Sequence, residues 1–169
     1  MGLADKKPKG FLRWALRAPV WLFRLRLGWL MVGHFLMVTT TGRKSGRPRY
    51  AVIEVIKRDK VSRAYIVVSG WGVKSDWYQN ILQTPQVRVD VGFRHFQARA
   101  EVVEAEQAAS LLADYARRFP FPFRQLAKAL TGESVTGTPD ECARLVSMAP
   151  LVAFIPVSLG QDAKSRRTA

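Results

Sequence analysis

Residues 35–57 read FLMVTTTGRKSGRPRYAVIEVIK, two apolar and β-branched runs joined by a turn of glycines and cations. β-branched side chains favour strands. Gly42 and Gly46 permit the left-handed backbone that a tight turn requires. The stretch therefore predicts a β-hairpin with strands over 35–41 and 49–57.

The rest of the chain contains further short β-branched runs and also segments with the pattern of helices. Further strands are predicted over 64–69, 87–91, 96–103 and 151–157. Helices are predicted over 76–82, 104–119 and 123–130, and from Pro139 onward, with Ser75 as the N-cap of the first. Short strands joined by short turns predict a mainly β, α+β fold with a largely antiparallel sheet or barrel and flanking helices.

Composition narrows the class of protein. The chain of 169 residues is long enough for one domain with its own core, and its formal net charge is +14. Such a charge attracts nucleic acid, anionic lipid or phosphorylated small molecules. Cys142 is the single cysteine, so no intramolecular disulfide can form and a reducing, cytoplasmic location fits. With His34 and His95 as the only histidines, no zinc-ligand spacing is present.

The N-terminal segment, residues 1–33, is basic and apolar. Arg13, Arg17 and Arg24 fall in a narrow arc of a helical wheel and interrupt the apolar run, so a membrane span is not predicted. This pattern predicts an amphipathic basic helix. The helix either packs on the barrel, or its residues 6–30 lie on the cytoplasmic face of an anionic membrane. The predicted division is 1–33, a barrel over 34–159, and a polar basic tail over 160–169.

The turn between the first two strands is a candidate anion site. Arg43, Lys44 and Arg49 supply cations, and arginine can hold a phosphate through two hydrogen bonds. The glycines of the turn predict a nest of backbone N–H groups aimed at the anion. A solvated basic hairpin with no ligand is the equally weighted alternative.

The segment from Val68 to Asn80 is a second candidate. It places two glycines between a strand end and a helix start, where backbone can approach a flat ring and helix N–H groups are unpaired. Trp71 and Trp77 offer flat apolar walls. For Trp77 alone, the core face of the helix is the better interpretation.

The two segments together resemble the deazaflavin-dependent nitroreductase family. The resemblance rests on TTTGRKSGRPR at 39–49, WYQNI at 77–81, TPQV at 84–87 and FQARA at 96–100. It implies a split β-barrel of the flavin-reductase type and coenzyme F420, a deazaflavin with a phosphate and an oligoglutamate tail. The implied cofactor-binding residues are Arg43, Lys44, Ser45, Arg49, Val52, Val68, Ser69, Gly70, Trp71, Asp76, Trp77 and Asn80.

The implied reaction is hydride transfer from the reduced cofactor to a small acceptor, without a catalytic nucleophile or general base. Ser69 is expected to orient the ring or the acceptor. An acceptor pocket is predicted to be lined by Glu54, Phe119 and Phe123. This pocket is expected to be more apolar than the pocket of relatives that reduce nitroimidazoles. A lipophilic acceptor such as a quinone, a nitroaromatic compound or an enone follows from this pocket.

Three alternatives remain open from the sequence. The same barrel could hold FMN, although the density of cations suits a longer anion. The chain could bind nucleic acid or membrane without being an enzyme, but it lacks a helix-turn-helix and an aromatic RNA-binding strand motif. It could also store a cofactor or lipid. We expect no nucleic-acid partner, and a homodimer is an expectation from the barrel class.

Overall fold

The computed structural model describes residues 35–133 and 135–157. The predicted segments 1–33 and 160–169 lie outside these residues. The strands are β1 Phe35–Thr41, β2 Pro48–Arg58, β3 Tyr65–Val68, β4 Gln86–Val91, β5 Arg94–Val102 and β6 Leu151–Pro156. The helices are α1 Asp76–Gln83, α2 Ala105–Arg118, α3 Pro120–Thr131 and α4 Pro139–Met148, and a 3₁₀ turn covers Gly72–Lys74.

The six strands close into one barrel in the order β1-β2-β3-β6-β5-β4, with β4 pairing back onto β1. Every pairing is antiparallel. The predicted hairpin forms the β1–β2 pair, in register from Phe35 opposite Glu54 to Thr41 opposite Pro48. The α+β, largely antiparallel split barrel with flanking helices is thereby confirmed.

The barrel interior is one of two cores. Because side chains alternate across a strand, Ile53 and Val55 of β2 point inward, where they meet Leu36, Val38 and Val89. Helix α1 contributes its buried face to the same cluster through Trp77, Tyr78 and Ile81. The first helix after the third strand is therefore part of the barrel core.

The second core lies between the outer surface of the barrel and helices α2, α3 and α4. Ile56, Ile66 and Val68 point outward from β2 and β3 into this layer. Leu112, Phe123 and Leu145 enter it from the three helices. Three helices thus cover one side of the barrel, while the cationic hairpin stays at another.

Local sequence explains where the helices begin. Helix α3 starts at Pro120, three residues before the predicted start, because a proline at the first helical position sacrifices no intrahelical hydrogen bond. Helix α4 begins with a capping box between Thr138 and Glu141. The Thr138 N–H, the Thr136 hydroxyl and the Gly137 N–H all donate to the Glu141 carboxylate and lower its pKa to about 2.

Within the part of the chain that is described, no helix is long and apolar enough to cross a bilayer.

Candidate cofactor and acceptor site

The turn between β1 and β2 is held by its own hydrogen bonds. The Gly42 N–H donates to the Arg47 carbonyl at 2.9 Å, and the Gly46 N–H donates to the Gly42 carbonyl at 2.7 Å. The Ser45 N–H also donates to Gly42, and the Arg47 N–H donates to the Ser45 hydroxyl at 3.4 Å. Gly46 has φ +64°, as its glycine predicts. Four N–H groups of the predicted nest, those of Gly42, Ser45, Gly46 and Arg47, are therefore used to form the turn.

The turn is tied to α1 through one buried amide. Asn80 is 2% exposed, and its Oδ1 accepts from the Arg43 backbone N–H at 3.1 Å and from Arg43 Nη1 at 3.2 Å. Asn80 Nδ2 donates to the Thr40 hydroxyl at 3.0 Å. Arg43 Nη2 also donates to Asp76 Oδ1 at 3.2 Å. We call this arrangement of the 42–49 turn with Asp76 and Asn80 the basic junction.

The cations of the basic junction differ in whether their side chains are bonded within the protein or exposed to solvent. The Arg43 guanidinium is engaged by Asp76 and Asn80, so its main contribution is to fix the turn on α1. Lys44, Arg47 and Arg49 are exposed, and Arg49 approaches only the Ser45 hydroxyl, at 3.5 Å. These three side chains leave a cluster of positive charge facing solvent, at the site that the sequence predicts for an anion.

The chain between β3 and α1 forms a compact turn around Ser69. The Ser69 side chain is fully buried, and its hydroxyl lies 2.7 Å from the Gly72 carbonyl and 2.8 Å from the Ser75 hydroxyl. Its predicted role in orienting the ring or the acceptor is therefore wrong, because the hydroxyl is enclosed by the turn. Ser75 occupies the N-cap position of α1, yet its hydroxyl bonds Ser69 instead of capping the helix.

The glycines of this turn have different surroundings. Gly72 has φ +59°, and a Cβ there would collide with the Met148 carbonyl, so only glycine fits. A Cβ at Gly70 would meet no atom of the described part of the chain within 4 Å. The adjacent Trp71 is partly exposed, but its indole N–H is buried and has no hydrogen-bond partner within residues 35–133 and 135–157. Open space at Gly70 thus lies next in sequence to a buried donor that has no partner among the described residues.

Trp77 belongs to the barrel core. It is 8% exposed, and its ring lies 6.1 Å, centroid to centroid, from the rings of Tyr78 and Phe154. The interpretation as the core face of the helix is confirmed. Its second predicted role, as an open wall of a cofactor cleft, is corrected, because both neighbours lie inside the barrel core.

A carboxylate and two aromatic rings form a separate group, which we call the Glu54 cluster. The Tyr115 hydroxyl donates to Glu54 Oε1 at 2.8 Å, and the Tyr115 ring lies 5.5 Å from that of Phe119. Burial raises the pKa of Tyr115, and the hydrogen bond to Glu54 and its charge raise it further. Tyr115 therefore remains a donor, and Phe119, 44% exposed, forms the outer edge of the cluster.

Sequence reasoning misplaced two residues near this cluster and missed a third. Phe123 is 1% exposed and Val68 is 3% exposed, and both pack in the core under the helices, so neither lines a pocket. Tyr115 was missed. Its signal was a polar aromatic side chain on the buried face of an amphipathic helix, which must find a hydrogen-bond partner.

Strand β2 runs from the basic junction to the Glu54 cluster. Val52 and Glu54 alternate with the inward Ile53 and Val55, so they point away from the barrel core. Val67 pairs with Val55, which brings the chain leaving β3 alongside this part of β2. At about 3.3 Å per residue, Arg49 and Glu54 lie roughly 17 Å apart along the strand, and by the same alternation their side chains leave opposite faces of β2.

Comparison with known proteins decides the family. Residues 19–127 of the 169-residue chain match the model of the family described as F420H(2)-dependent quinone reductase. The chain belongs to this family. It is therefore an F420-dependent reductase, and coenzyme F420 is its cofactor.

Solved structures with TM-scores above 0.5 share the fold. An FMN-binding protein related to pyridoxamine 5′-phosphate oxidase, from Nostoc punctiforme, has a TM-score of 0.52 at 14% identity, over 91% of this chain and 83% of its own. A structure described as a domain-swapped dimer has a TM-score of 0.51 at 18% identity, over 81% of this chain and 99% of its own. An F420-H2 dependent reductase matches at 21% identity with a TM-score of 0.48, over 72% of this chain and 94% of its own.

Proposed function

We propose that this F420-dependent reductase binds the phosphate and oligoglutamate tail of its cofactor at the basic junction. Lys44 and Arg49 would hold the anions, with Ser45 and Arg47 at their sides and Asn80 and Asp76 fixing the turn through Arg43. The observation that carries this proposal is the set of Asn80 and Asp76 hydrogen bonds that anchor the turn while leaving three cations in solvent. A rigid anchor reduces the entropy lost when a flexible anion binds.

We propose that the planar head of the cofactor lies on the outer face of β2, between Val52 and the turn at Gly70 and Trp71. The open space at Gly70 suits a flat ring, and the unpaired Trp71 N–H suits a ring oxygen or nitrogen. The residues present therefore fit the group. When bound, the reduced deazaflavin supplies a hydride, and the protein needs chiefly to hold donor and acceptor in contact.

We propose a quinone-type, lipophilic acceptor at the Glu54 cluster, beside the head of the cofactor. Phe119 offers an apolar edge against the ring of Tyr115, and the Tyr115 hydroxyl holds the Glu54 carboxyl group. A quinone that receives a hydride also takes up one proton on an oxygen, and Glu54 is the group placed to exchange that proton with it. Glu54 would then recover its proton from solvent.

A cofactor titration tests the first proposal. Fluorescence of the purified protein titrated with F420 and with FMN should show tighter binding of F420, because its longer polyanionic tail meets Lys44, Arg47 and Arg49. Arg49→Ala should weaken F420 binding more than FMN binding. Arg94→Ala, an exposed arginine of the other hairpin, serves as the matched control. Equal affinity for both cofactors in the wild type would contradict the tail site.

Steady-state turnover tests the acceptor proposal. We expect the wild type to reduce menadione faster than a nitroimidazole. Glu54→Gln should lower kcat for menadione by roughly 100-fold, the scale of general acid–base catalysis, and leave the Kd for F420 unchanged. Glu101→Gln, an exposed carboxylate of β5, should behave as the wild type. No turnover of menadione by the wild type would refute the quinone acceptor itself.

We also propose that the protein is a homodimer, on the ground that a structural neighbour is described as a domain-swapped dimer. Light scattering of the full chain gives the molar mass directly. A single species at the monomer mass at micromolar concentration would refute this proposal. Nothing in the cofactor and acceptor proposals depends on it.

A further inference from the structure

Helix α3 has an exposed stripe of unusual composition. Phe121, Arg124, Gln125 and Lys128 follow one another at the three- and four-residue spacing of one helix face, and all are exposed. Phe123, Ala127 and Leu130 occupy the opposite, buried face. A phenylalanine and two cations thus share the solvent side of this helix, while its opposite side is packed in the second core.

The end of α2 extends this stripe. Arg117 and Arg118 are exposed just before Phe119, and Phe121 is 70% exposed while Phe119 is 44% exposed. From residue 115 to residue 132 the sequence contains four cations and no carboxylate. Asp114, just before this stretch, is paired with Arg117, and Glu133, just after it, is paired with Arg144. We call Arg117, Arg118, Phe119, Phe121, Arg124 and Lys128 the aromatic–basic patch.

We propose that the aromatic–basic patch docks on the surface of an anionic lipid bilayer. Exposed phenylalanine rings gain by entering the boundary between headgroups and acyl chains, and flanking arginines and lysines gain by approaching anionic headgroups. The 12-residue α3 is too short to cross a bilayer, so it would lie in the plane of the interface. Phe121 inserts, while Arg124 and Lys128 remain at the level of the headgroups.

Charge favours lipid over a second copy of the chain. An interface formed by two identical patches would bring eight cations together, two of them paired with Asp114, and repulsion among the other six would oppose burial of the rings. A bilayer offers the two complementary features at once, an apolar interior and a layer of negative charge. Duplex nucleic acid would complement the cations but offers no apolar layer for the phenylalanines to enter.

The position of the patch connects it to the acceptor side. Phe119 packs on Tyr115, and Tyr115 holds Glu54. An acceptor dissolved in the bilayer would therefore reach the Glu54 cluster past Phe119. This connection depends on the proposed function, whereas docking on the bilayer does not.

Co-sedimentation of the full chain with vesicles tests the docking. Wild type should bind vesicles of phosphatidylcholine and phosphatidylglycerol, and bind much less to phosphatidylcholine alone. Phe121→Ser should lower the partition coefficient by roughly tenfold, the effect expected from one lost phenylalanine. Leu82→Ser removes another exposed apolar side chain, 55% exposed on α1, and should leave binding unchanged.

A second pair of variants tests the charges. Arg124→Gln combined with Lys128→Gln should lower binding to anionic vesicles by roughly 10- to 30-fold. Lys60→Gln combined with Lys74→Gln changes the net charge equally at exposed positions elsewhere, and should lower it far less. Thermal melting and F420 titration without vesicles should match the wild type for all four variants. The N-terminal segment is present in every variant, so differences in binding report on the patch.

Several results would overturn the proposal. One is wild-type vesicle binding by Phe121→Ser. Another is a dimer that Phe121→Ser dissociates, with no vesicle binding by the wild type, which would make the patch an interface between copies. A third is salt-sensitive DNA binding that needs Arg124 and Lys128 but not Phe121. Failure of menadione turnover with normal vesicle binding would refute the acceptor proposal and leave the docking intact.

Discussion

The basic junction and the Glu54 cluster place charge on the same barrel in opposite ways. At the basic junction, Lys44, Arg47 and Arg49 remain in water, and a buried asparagine fixes the backbone beneath them. At the Glu54 cluster, one carboxyl group is drawn against aromatic rings and held by Tyr115. Solvated cations cost the folded state little, whereas a carboxylate beside apolar rings loses hydration and needs a hydrogen bond in return. The first region suits a long anion, and the second suits an uncharged, apolar acceptor.

The largest effect should come from the core beneath the basic junction. Trp77→Ala should lower the free energy of unfolding by about 3–5 kcal/mol, because it opens a cavity in the barrel core. Trp71→Ala should cost far less stability and should weaken F420 binding instead. Urea unfolding and F420 titration of both variants measure the two effects. Equal stability losses would show that the two tryptophans are not divided into a core residue and a surface residue.

The anchor of the turn comes next. Asn80→Leu should lower the free energy of unfolding by about 2–4 kcal/mol, because the Arg43 N–H and the Thr40 hydroxyl lose their buried partner. Its neighbour Gln79 bonds Val73 at the surface, so Gln79→Leu should have little effect. F420 affinity should fall in the first variant alone. Full F420 affinity in Asn80→Leu would separate the anchor from the cofactor site.

Salt should distinguish the two regions. Lys44→Ala and Arg49→Ala should each weaken F420 binding by about 1.5–3 kcal/mol at low salt, the range for charge-assisted hydrogen bonds. The loss should shrink as ionic strength rises, because exposed charges are screened. The KM for menadione should depend little on salt. A strong salt dependence of that KM would mean that the acceptor also senses the cations of the basic junction.

The smallest effect should be at Tyr115. Tyr115→Phe should lower the free energy of unfolding by about 1 kcal/mol and raise the KM for menadione without changing F420 affinity. Because folding raises the pKa of Tyr115 above the ordinary value of 10.0, its contribution to stability is complete below that pH and is lost as pH rises further. Wild type should therefore lose more stability than Tyr115→Phe between neutral and strongly alkaline pH. Parallel losses in urea unfolding would argue against the hydrogen bond.

Much of the fold and part of the site could be predicted from local pattern. The β1–β2 hairpin, the short strands and the proline and threonine at the start of α4 follow from side-chain period, turn glycines and capping, which act over a few residues. The cationic turn was equally visible, because arginine and lysine stay at the surface whatever packs below them. The family resemblance in the same segments added the cofactor, which no spacing could name.

The tertiary structure alone decided the hydrogen-bond partner of each polar group and the burial of each side chain. The sequence could not show that the N–H groups of the 42–49 turn bond within the turn, or that Ser69 is enclosed while Gly70 is open. Nor could it divide Trp71 from Trp77, or join Tyr115 to Glu54 across 61 positions. Each outcome depends on which atoms lie within a few ångströms after distant segments pack, and free energies of burial and hydrogen bonding are fixed only then.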